Sequence, residues 1–253
     1  AALLYDLRKS KGMTEEEAEK LSYDNTYFGV LMLKAGDVDG LVSGACHSTA
    51  NTLRPGLQIV KAAPGVPLVS SYFLMVAPEG GNQYCEDGAF VYSDCGLNEN
   101  PTSEQLAEIA IISAKTAERI AGIEPRVAML SFSTKGSAKH ADIDKVTTAL
   151  ALAKEKAPSL NIDGELQLDA AIVPSVASSK APGSKVAGHA NVLIFPDLDA
   201  GNIGYKLTER LGGFQAIGPL CQGFAKPIND LSRGCKSDDV VAAVAITALQ
   251  TQL

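Results

Sequence analysis

Short apolar runs alternate with amphipathic segments along most of this chain of 253 residues. The runs at 67–77 and 191–197 are rich in β-branched and aromatic residues, which is typical of buried strands. The segment 101–123 has apolar residues at helical spacing, and Thr102 or Ser103 is its predicted N-cap. Because strands alternate with helices, the sequence predicts an α/β fold with mainly parallel sheets flanked by helices.

Further elements follow the same pattern. Strands are predicted at 88–96, at the start of 126–138 and at 169–174. Thr14 is the predicted N-cap of an early helix, and Ser237 is the predicted N-cap of the closing helix. Ligands of parallel α/β folds bind beyond the carboxyl ends of strands. The loops to inspect are therefore those after Val42, Phe132 and Phe195.

The charge and the cysteine content exclude several classes of protein. The net charge is −7 without a long basic run, so nucleic acid is not an expected partner. The five cysteines include no CxxC pair and the three histidines are far apart in sequence, which argues against disulfide frameworks and structural zinc. Reduced thiols indicate the cytoplasm, and no apolar run is long enough to span a membrane. The first residues lack an initiator methionine and a signal-peptide layout, so we expect the natural chain to begin upstream.

The run SGACHSTANTLRP at 43–55 is a Gly/Ser/Thr loop that leads into a helix carrying Arg54. An anion at such a helix start would meet the helix dipole, hydroxyl groups and a guanidinium. The alternative is an ordinary strand-to-helix turn with a surface arginine. His47 precedes Ser48, and we interpret it as a hydrogen-bonded loop histidine rather than as the base of an acid/base pair.

Two further loops carry polar side chains after predicted strands. In SFSTKGSAKH at 131–140, Lys135 is interpreted as a solvated lysine, with phosphate binding as the alternative. In FPDLDAGNIGYK at 195–206, paired carboxylates suit a divalent metal or proton transfer. The alternative there is that Asp199 or Asn202 caps the next helix.

The run NDLSRGCKSDDVV at 229–241 offers a third group of candidates. Arginine binds phosphate with two hydrogen bonds, serine can donate to a developing charge, and a carboxylate can accept a proton. Ser232, Arg233 and Asp239 could therefore form one site. The simpler interpretation is that Asp238 and Asp239 only stabilise the start of the closing helix.

These segments together resemble the phosphate acetyltransferase (phosphotransacetylase) family over nearly the whole chain. The residues that carry the resemblance are LRKSKGMTEEEA, DGLVSGACHSTANTLRP, YSDCGLNENPT, LSFSTKGS, DGELQLDAAIVP, ANVLIFPDLDAGNIGYKLTERLGG and GPLCQGFAKPINDLSRGC, of which the last two are the most specific. The related phosphate butyryltransferases look less similar at 200–211, which favours acetyl as the acyl group.

The resemblance implies an isocitrate/isopropylmalate-dehydrogenase-like fold of two α/β domains with a cleft between them, in a homodimer. Domain I would comprise residues 1–65 with 220–253, with part of it upstream of this sequence, and domain II residues 66–219. The implied reaction is acetyl-CoA plus phosphate giving acetyl phosphate plus CoA, in both directions. The implied substrates are these four small molecules, with no further cofactor, no metal, no nucleic acid and no membrane.

The resemblance also implies roles for individual residues. Asp239 would take the proton of the CoA thiol, with Asp238 as the fallback because the assignment depends on a one-residue register. Ser232 would stabilise the developing charge and Arg233 would hold the phosphate. Arg8 and Arg54 would bind substrate. We expect direct transfer in a ternary complex rather than an acyl-cysteine intermediate, for which Cys46, Cys95 and Cys235 would be the candidates.

Three alternatives stay open at this point. The enzyme could act on a longer acyl chain. The chain could be a non-catalytic domain that senses acetyl-CoA, as the same fold does when fused to malic enzymes, but a sensor needs no base. A nicotinamide dehydrogenase could share the fold, but no GxGxxG follows a strand here.

Overall fold

The computed structural model describes residues 1–252, which form two compact units. The first unit combines residues 1–69 with the segment that begins at Gly223, and the second unit comprises residues 70–222. These limits differ by a few residues from the domain boundaries that the resemblance implies, and the domain assignment stays a prediction.

The secondary structure alternates between helices and strands over most of the chain. The helices are α1 (Ala2–Arg8), α2 (Glu15–Ser22), α3 (Asn25–Ala35), α4 (Thr49–Ile59), α5 (Ser103–Thr116), α6 (Ala141–Lys156), α7 (Leu168–Ile172), α8 (Pro174–Lys180), α9 (Leu198–Arg210) and α10 (Ser237–Gln250). The strands are β1 (Leu41–Gly44), β2 (Ser70–Val76), β3 (Ala89–Ser93), β4 (Val127–Leu130), β5 (Ile162–Leu166), β6 (Val192–Ile194), β7 (Gln215–Gln222) and β8 (Ile228–Leu231). Short 3₁₀ and π turns occupy Lys9–Lys11 and Ala117–Ala121. None of the helices in residues 1–252 has both the length and the apolar character needed to cross a membrane.

The first unit is organised around a two-stranded parallel sheet. Strands β1 and β8 pair in parallel, with Leu41 opposite Ile228 and Gly44 opposite Leu231. Helices α3, α4 and α10 contact β1, and α4 and α10 also contact β8. Apolar side chains of these helices and of α1 are buried in the unit, so the helices hold the short sheet in place. The buried residues include Leu4, Leu33, Leu53, Ile59 and Ile228.

The second unit contains a six-stranded sheet in the order β5-β4-β6-β3-β2-β7. The first four strands in this order run parallel, whereas β2 pairs antiparallel with both β3 and β7. All residues of β4, β5 and β6 are buried, as is typical of parallel strands that helices cover. The prediction of an α/β fold with mainly parallel pairing is confirmed.

The prediction of a strand at 169–174 is wrong. The run at 169–174 was predicted as a strand, but Leu168–Ile172 is helix α7 and Pro174 begins helix α8. The strand lies just before it, at Ile162–Leu166, where Asp163 and Glu165 are buried despite their charge. Two carboxylates in a run of five residues do not resemble a buried strand, so the apolar run that follows was mistaken for it.

A buried amide network connects the strands of the second unit to helix α5. The Gln222 side chain donates to the hydroxyls of Ser70 and Ser113, each at 2.9 Å, and accepts from the Thr116 hydroxyl at 2.7 Å. All four residues are buried, so a polar group that loses its partner here cannot form a hydrogen bond to water instead.

We predict that Gln222→Met lowers the free energy of unfolding by about 2–3 kcal/mol, because four buried hydroxyls, including that of Ser93, lose a partner. The matched control is Gln215→Met, the same substitution at an exposed position of the same strand. Chemical denaturation monitored by circular dichroism measures both variants. Equal stability of the two variants would contradict the network's role.

Candidate functional site

The segment after β8 forms a compact turn that carries Ser232 and Arg233. The Ser232 hydroxyl accepts a hydrogen bond from the Gly234 N–H at 3.2 Å, and the Cys235 N–H donates to the Ser232 carbonyl at 3.0 Å. Ser232 and Arg233 are exposed. Within residues 1–252 the Arg233 guanidinium has no hydrogen-bonded or ion-paired partner, so its five donors are available to an anion.

The start of helix α10 directs one of the two aspartates back to this turn. Lys236 is the N-cap and Ser237 is the first helical residue, so the prediction that Ser237 is the N-cap is wrong. Asp238 and Asp239 lie in the first turn, as predicted. Asp239 Oδ2 accepts from the Lys236 N–H at 2.8 Å, which holds this carboxylate beside the turn. Asp239 thus stabilises the start of α10, as the simpler interpretation of the sequence expects, and the choice of Asp239 over Asp238 as the base stays a prediction.

The loop after β1 begins at the same edge of the sheet as the turn after β8. Because the two strands are parallel, their carboxyl ends lie side by side, and the Ala45 N–H donates to the Leu231 carbonyl at 2.8 Å. Ser48 caps helix α4, and its hydroxyl accepts from the Asn51 N–H at 3.3 Å. The hydroxyl-rich loop and the Ser232–Arg233 turn therefore form one polar edge of the first unit.

Arg8 and Arg54 lie in a common electrostatic neighbourhood around Tyr27. Burial raises the pKa of the Tyr27 phenol, whereas Arg54 and Arg8 both act to lower that pKa. The Tyr27 hydroxyl donates to Gln58 Oε1 at 3.1 Å. Neither arginine forms an ion pair in the described part of the chain, and Arg8 Nε is buried without a hydrogen-bond partner. Two guanidinium groups without a carboxylate partner make a favourable place for an anion.

No hydrogen bond or ion pair within residues 1–252 joins this pair of arginines to Ser232, Arg233 or Asp239. The five predicted site residues all lie in the first unit, and their roles stay predictions. Tyr27 was missed by the sequence analysis. It lies inside an apolar helical segment, and no motif marks it.

His47 contacts a cysteine, which the sequence did not indicate. Its Nδ1 lies 3.3 Å from Cys46 Sγ, so the histidine is a hydrogen-bonded loop residue as predicted, with its neighbouring thiol as partner.

Burial raises the pKa of Cys85 to about 11, and it raises the pKa of Cys95 well above its ordinary value. These two thiols stay protonated at neutral pH and are poor nucleophiles.

Lys135 is a partly exposed loop lysine that has a carboxylate partner. Its ammonium group forms an ion pair with Asp163 and donates to the Gly164 carbonyl at 3.0 Å. In the same loop the Ser133 hydroxyl and the Gly136 N–H donate to Glu165 at 2.8 and 2.7 Å. The loop after β4 is therefore bound to β5, and Lys135 is a partly exposed loop lysine, as predicted, but in an ion pair that the sequence did not indicate.

The carboxylates after β6 cap a helix, although the capping residue differs from those predicted. Asp197 Oδ1 accepts from the Ala200 N–H at 2.9 Å and caps α9, whereas Asn202 donates to the Cys95 carbonyl at 3.2 Å. Asp197 and Asp199 line a cavity of about 510 Å³. No group of three metal-ligating side chains occurs in residues 1–252.

Several known proteins are similar to this chain in sequence and in fold. A phosphate acetyltransferase of Acetivibrio thermocellus is 62% identical over 252 residues, which is all of this chain and 75% of the relative. The crystal structure of a phosphotransacetylase from Streptococcus pyogenes superposes with a TM-score of 0.92 at 50% identity, over 98% of this chain and 73% of that one. A branched-chain phosphotransacylase from Enterococcus faecalis gives a TM-score of 0.71 at 22% identity, over 89% of this chain and 78% of its own.

The fold is thus that of the phosphotransacylases. A more distant likeness of fold, with a TM-score of 0.54 at 12% identity, is to 4-hydroxythreonine-4-phosphate dehydrogenase from Klebsiella pneumoniae, which agrees with the predicted dehydrogenase-like architecture. Residues 1–248 match the phosphate acetyl/butaryl transferase family, and the chain belongs to that family.

The ion pair of Lys135 with Asp163 predicts a pH dependence of stability. Burial acts to raise the pKa of Asp163, but hydrogen bonds from Lys135, Ser184 and the Gly164 N–H bring that pKa below its ordinary value. A depressed pKa stabilises the fold above the unfolded-state value of about 3.9, and this stabilisation is lost as the pH falls through the folded-state pKa.

Lys135→Met should therefore lower the free energy of unfolding at pH 7 by about 1 kcal/mol, since the lysine is partly exposed. The difference from the wild type should shrink as the pH falls from the unfolded-state value of about 3.9 through the lower folded-state pKa of Asp163. Urea denaturation across a pH series measures this, with Lys139→Met as the control at an exposed lysine of the same loop. A difference that persists unchanged at low pH would rule out the ion pair as its source.

Proposed function

We propose that this chain catalyses the reversible transfer of an acetyl group between CoA and inorganic phosphate. The observation that carries the proposal is the unpaired Arg233 in a turn beside Asp239, in a chain of the phosphate acetyl/butaryl transferase family. The high identity to a phosphate acetyltransferase supports acetyl as the acyl group. Acetyl-CoA, CoA, phosphate and acetyl phosphate are then its substrates, and no other cofactor takes part.

The proposed chemistry uses three side chains of the first unit. The Asp239 carboxylate takes the proton of the CoA thiol, and the thiolate attacks the carbonyl carbon of acetyl phosphate. The bond from that carbon to the bridging oxygen breaks, and the phosphate leaves with the electron pair. The Ser232 hydroxyl donates to the charge that develops on the carbonyl oxygen, and Arg233 holds the phosphate through two hydrogen bonds.

The remaining arginines have a binding role in this proposal. Arg8 and Arg54 attract phosphate groups of the substrates, because neither is neutralised by a carboxylate in the described part of the chain. The protein as a whole is acidic, so anionic substrates depend on such local positive charge. The Asp239 base distinguishes an enzyme from an acetyl-CoA sensor, which would need binding alone.

The proposal extends to the setting in which the enzyme acts. We place it in the cytoplasm, because none of its five cysteines forms a disulfide within the described residues. We also propose that it acts as a homodimer, as the resemblance of the sequence implies.

The activity can be tested by following CoA release from acetyl-CoA in the presence of phosphate. A chromogenic disulfide reports the free thiol. Asp239→Asn should lower kcat by about 10²–10⁴-fold, because it removes a general base but retains an acceptor for the Lys236 N–H. Arg233→Ala should lower kcat/KM by the equivalent of about 2–5 kcal/mol.

Asp238→Asn is the matched control, since it removes the same charge from the same helical turn. It should keep most of the activity. Loss of activity in Asp238→Asn with full activity in Asp239→Asn would shift the base by one residue. A folded, full-length wild type that binds acetyl-CoA but releases no thiol would favour the sensor, and a higher kcat/KM with butyryl-CoA would favour a longer acyl group.

A further inference from the structure

A buried carboxylate lies directly before the proposed catalytic turn and has no part in the proposed chemistry. Asp230 belongs to β8 and is only 2% exposed. Its Oδ2 accepts a hydrogen bond from the Thr49 hydroxyl at 2.7 Å. Thr49 is the first residue of helix α4, which carries Arg54. This hydrogen bond therefore joins the end of strand β8 to the start of that helix.

The second oxygen of this carboxylate is unsatisfied. Asp230 Oδ1 is buried, and no donor among residues 1–252 meets it with hydrogen-bond geometry. Burial raises the pKa of Asp230, although the Thr49 and Thr52 hydroxyls, the Leu231 N–H and His47 act in the opposite direction. An apolar side chain would cost less free energy at such a position, so the carboxylate does not serve packing alone.

The backbone around the carboxylate is shaped to accommodate it. Gly44 lies opposite Leu231 in the parallel pairing and has a φ of 104°, which favours glycine. A Cβ at Gly44 would overlap Asp230 Oδ1 and would come within 2.6 Å of the Leu231 backbone N and O. The loop after β1 therefore passes directly over the carboxylate, and Ala45 then bonds to Leu231.

We propose that Asp230 is a positioning residue that, through Thr49, holds the start of helix α4 against the end of strand β8. This sets the hydroxyl-rich loop and the Ser232–Arg233 turn at a fixed separation along the polar edge. The inference rests on the proposed function, because positioning has a catalytic meaning only if the turn is the active site. Small displacements of reacting groups are costly, so the loss of the bond should reduce turnover.

The test compares Thr49→Val with Thr49→Ser in the full-length protein, using the acetyl-CoA and phosphate assay. Valine keeps the shape but removes the hydroxyl, whereas serine keeps the donor. At a temperature where all variants are folded, kcat/KM should fall about ten- to hundredfold in Thr49→Val and stay within about twofold in Thr49→Ser. Asp230→Asn keeps an acceptor for Thr49 and should lie between them.

The double variant Thr49→Val/Asp230→Asn tests whether the two side chains act as one unit. Its loss of kcat/KM should equal that of the worse single variant rather than the product of the two losses. The double variant also replaces the buried Asp230 carboxylate by a neutral amide. If Thr49→Val alone does not fold, the double variant therefore takes its place in the comparison with Thr49→Ser. Multiplied losses would overturn the proposed link.

Hydrogen–deuterium exchange gives a readout that does not depend on activity. In Thr49→Val the amides of 45–52 and of 232–236 should exchange faster than in the wild type, while those of 70–222 stay unchanged. A lower unfolding temperature with unchanged kcat/KM and unchanged exchange of 232–236 would show a purely structural role and overturn the inference. An inactive wild type would instead overturn the proposed function. The positioning role would then be overturned as well, even if Thr49→Val exchanged faster at 45–52 and 232–236.

Discussion

The parallel pairing of β1 with β8 is the constraint on which the first unit depends. These strands come from distant parts of the chain, and their pairing brings residues 1–69 together with the C-terminal segment. Parallel strands end at the same edge of a sheet, so the loop after Gly44 and the turn after Leu231 emerge side by side. Without this pairing, the Ser232–Arg233 turn and helix α4 would have no defined relation, because they belong to segments that are far apart in the chain.

The sequence predicted the fold class and most elements because apolar periodicity is a local signal. The strands it failed to show are β5, β7 and β8, and each of them buries polar side chains, Gln222 among them in β7. Asp163 and Glu165 in β5, and Asn229 and Asp230 in β8, are buried with specific partners that only tertiary structure supplies. For the same reason the candidate residues could be named from their types and spacing, but the approach of Thr49 to Asp230 could not be predicted.

Some cationic side chains of this protein have a carboxylate partner, and others do not. In the second unit Lys135 is bound to Asp163, and Arg126 to Asp87, so positive charge serves to hold loops and strands together. In the first unit Arg233 and Arg54 have no carboxylate partner among the described residues. Unpaired guanidinium groups gain little for folding, and their presence in an acidic chain is explained most simply by anionic ligands.

The proposed direct attack of CoA on acetyl phosphate has a rival mechanism, in which a cysteine such as Cys46, whose Sγ lies 3.3 Å from His47 Nδ1, first takes the acetyl group. Isotope exchange between labelled inorganic phosphate and acetyl phosphate, with and without CoA, separates the two mechanisms. Direct transfer in a ternary complex predicts that label enters acetyl phosphate only when CoA is present. Exchange in the absence of CoA would contradict it, because the acetyl group would then have been held on the protein itself.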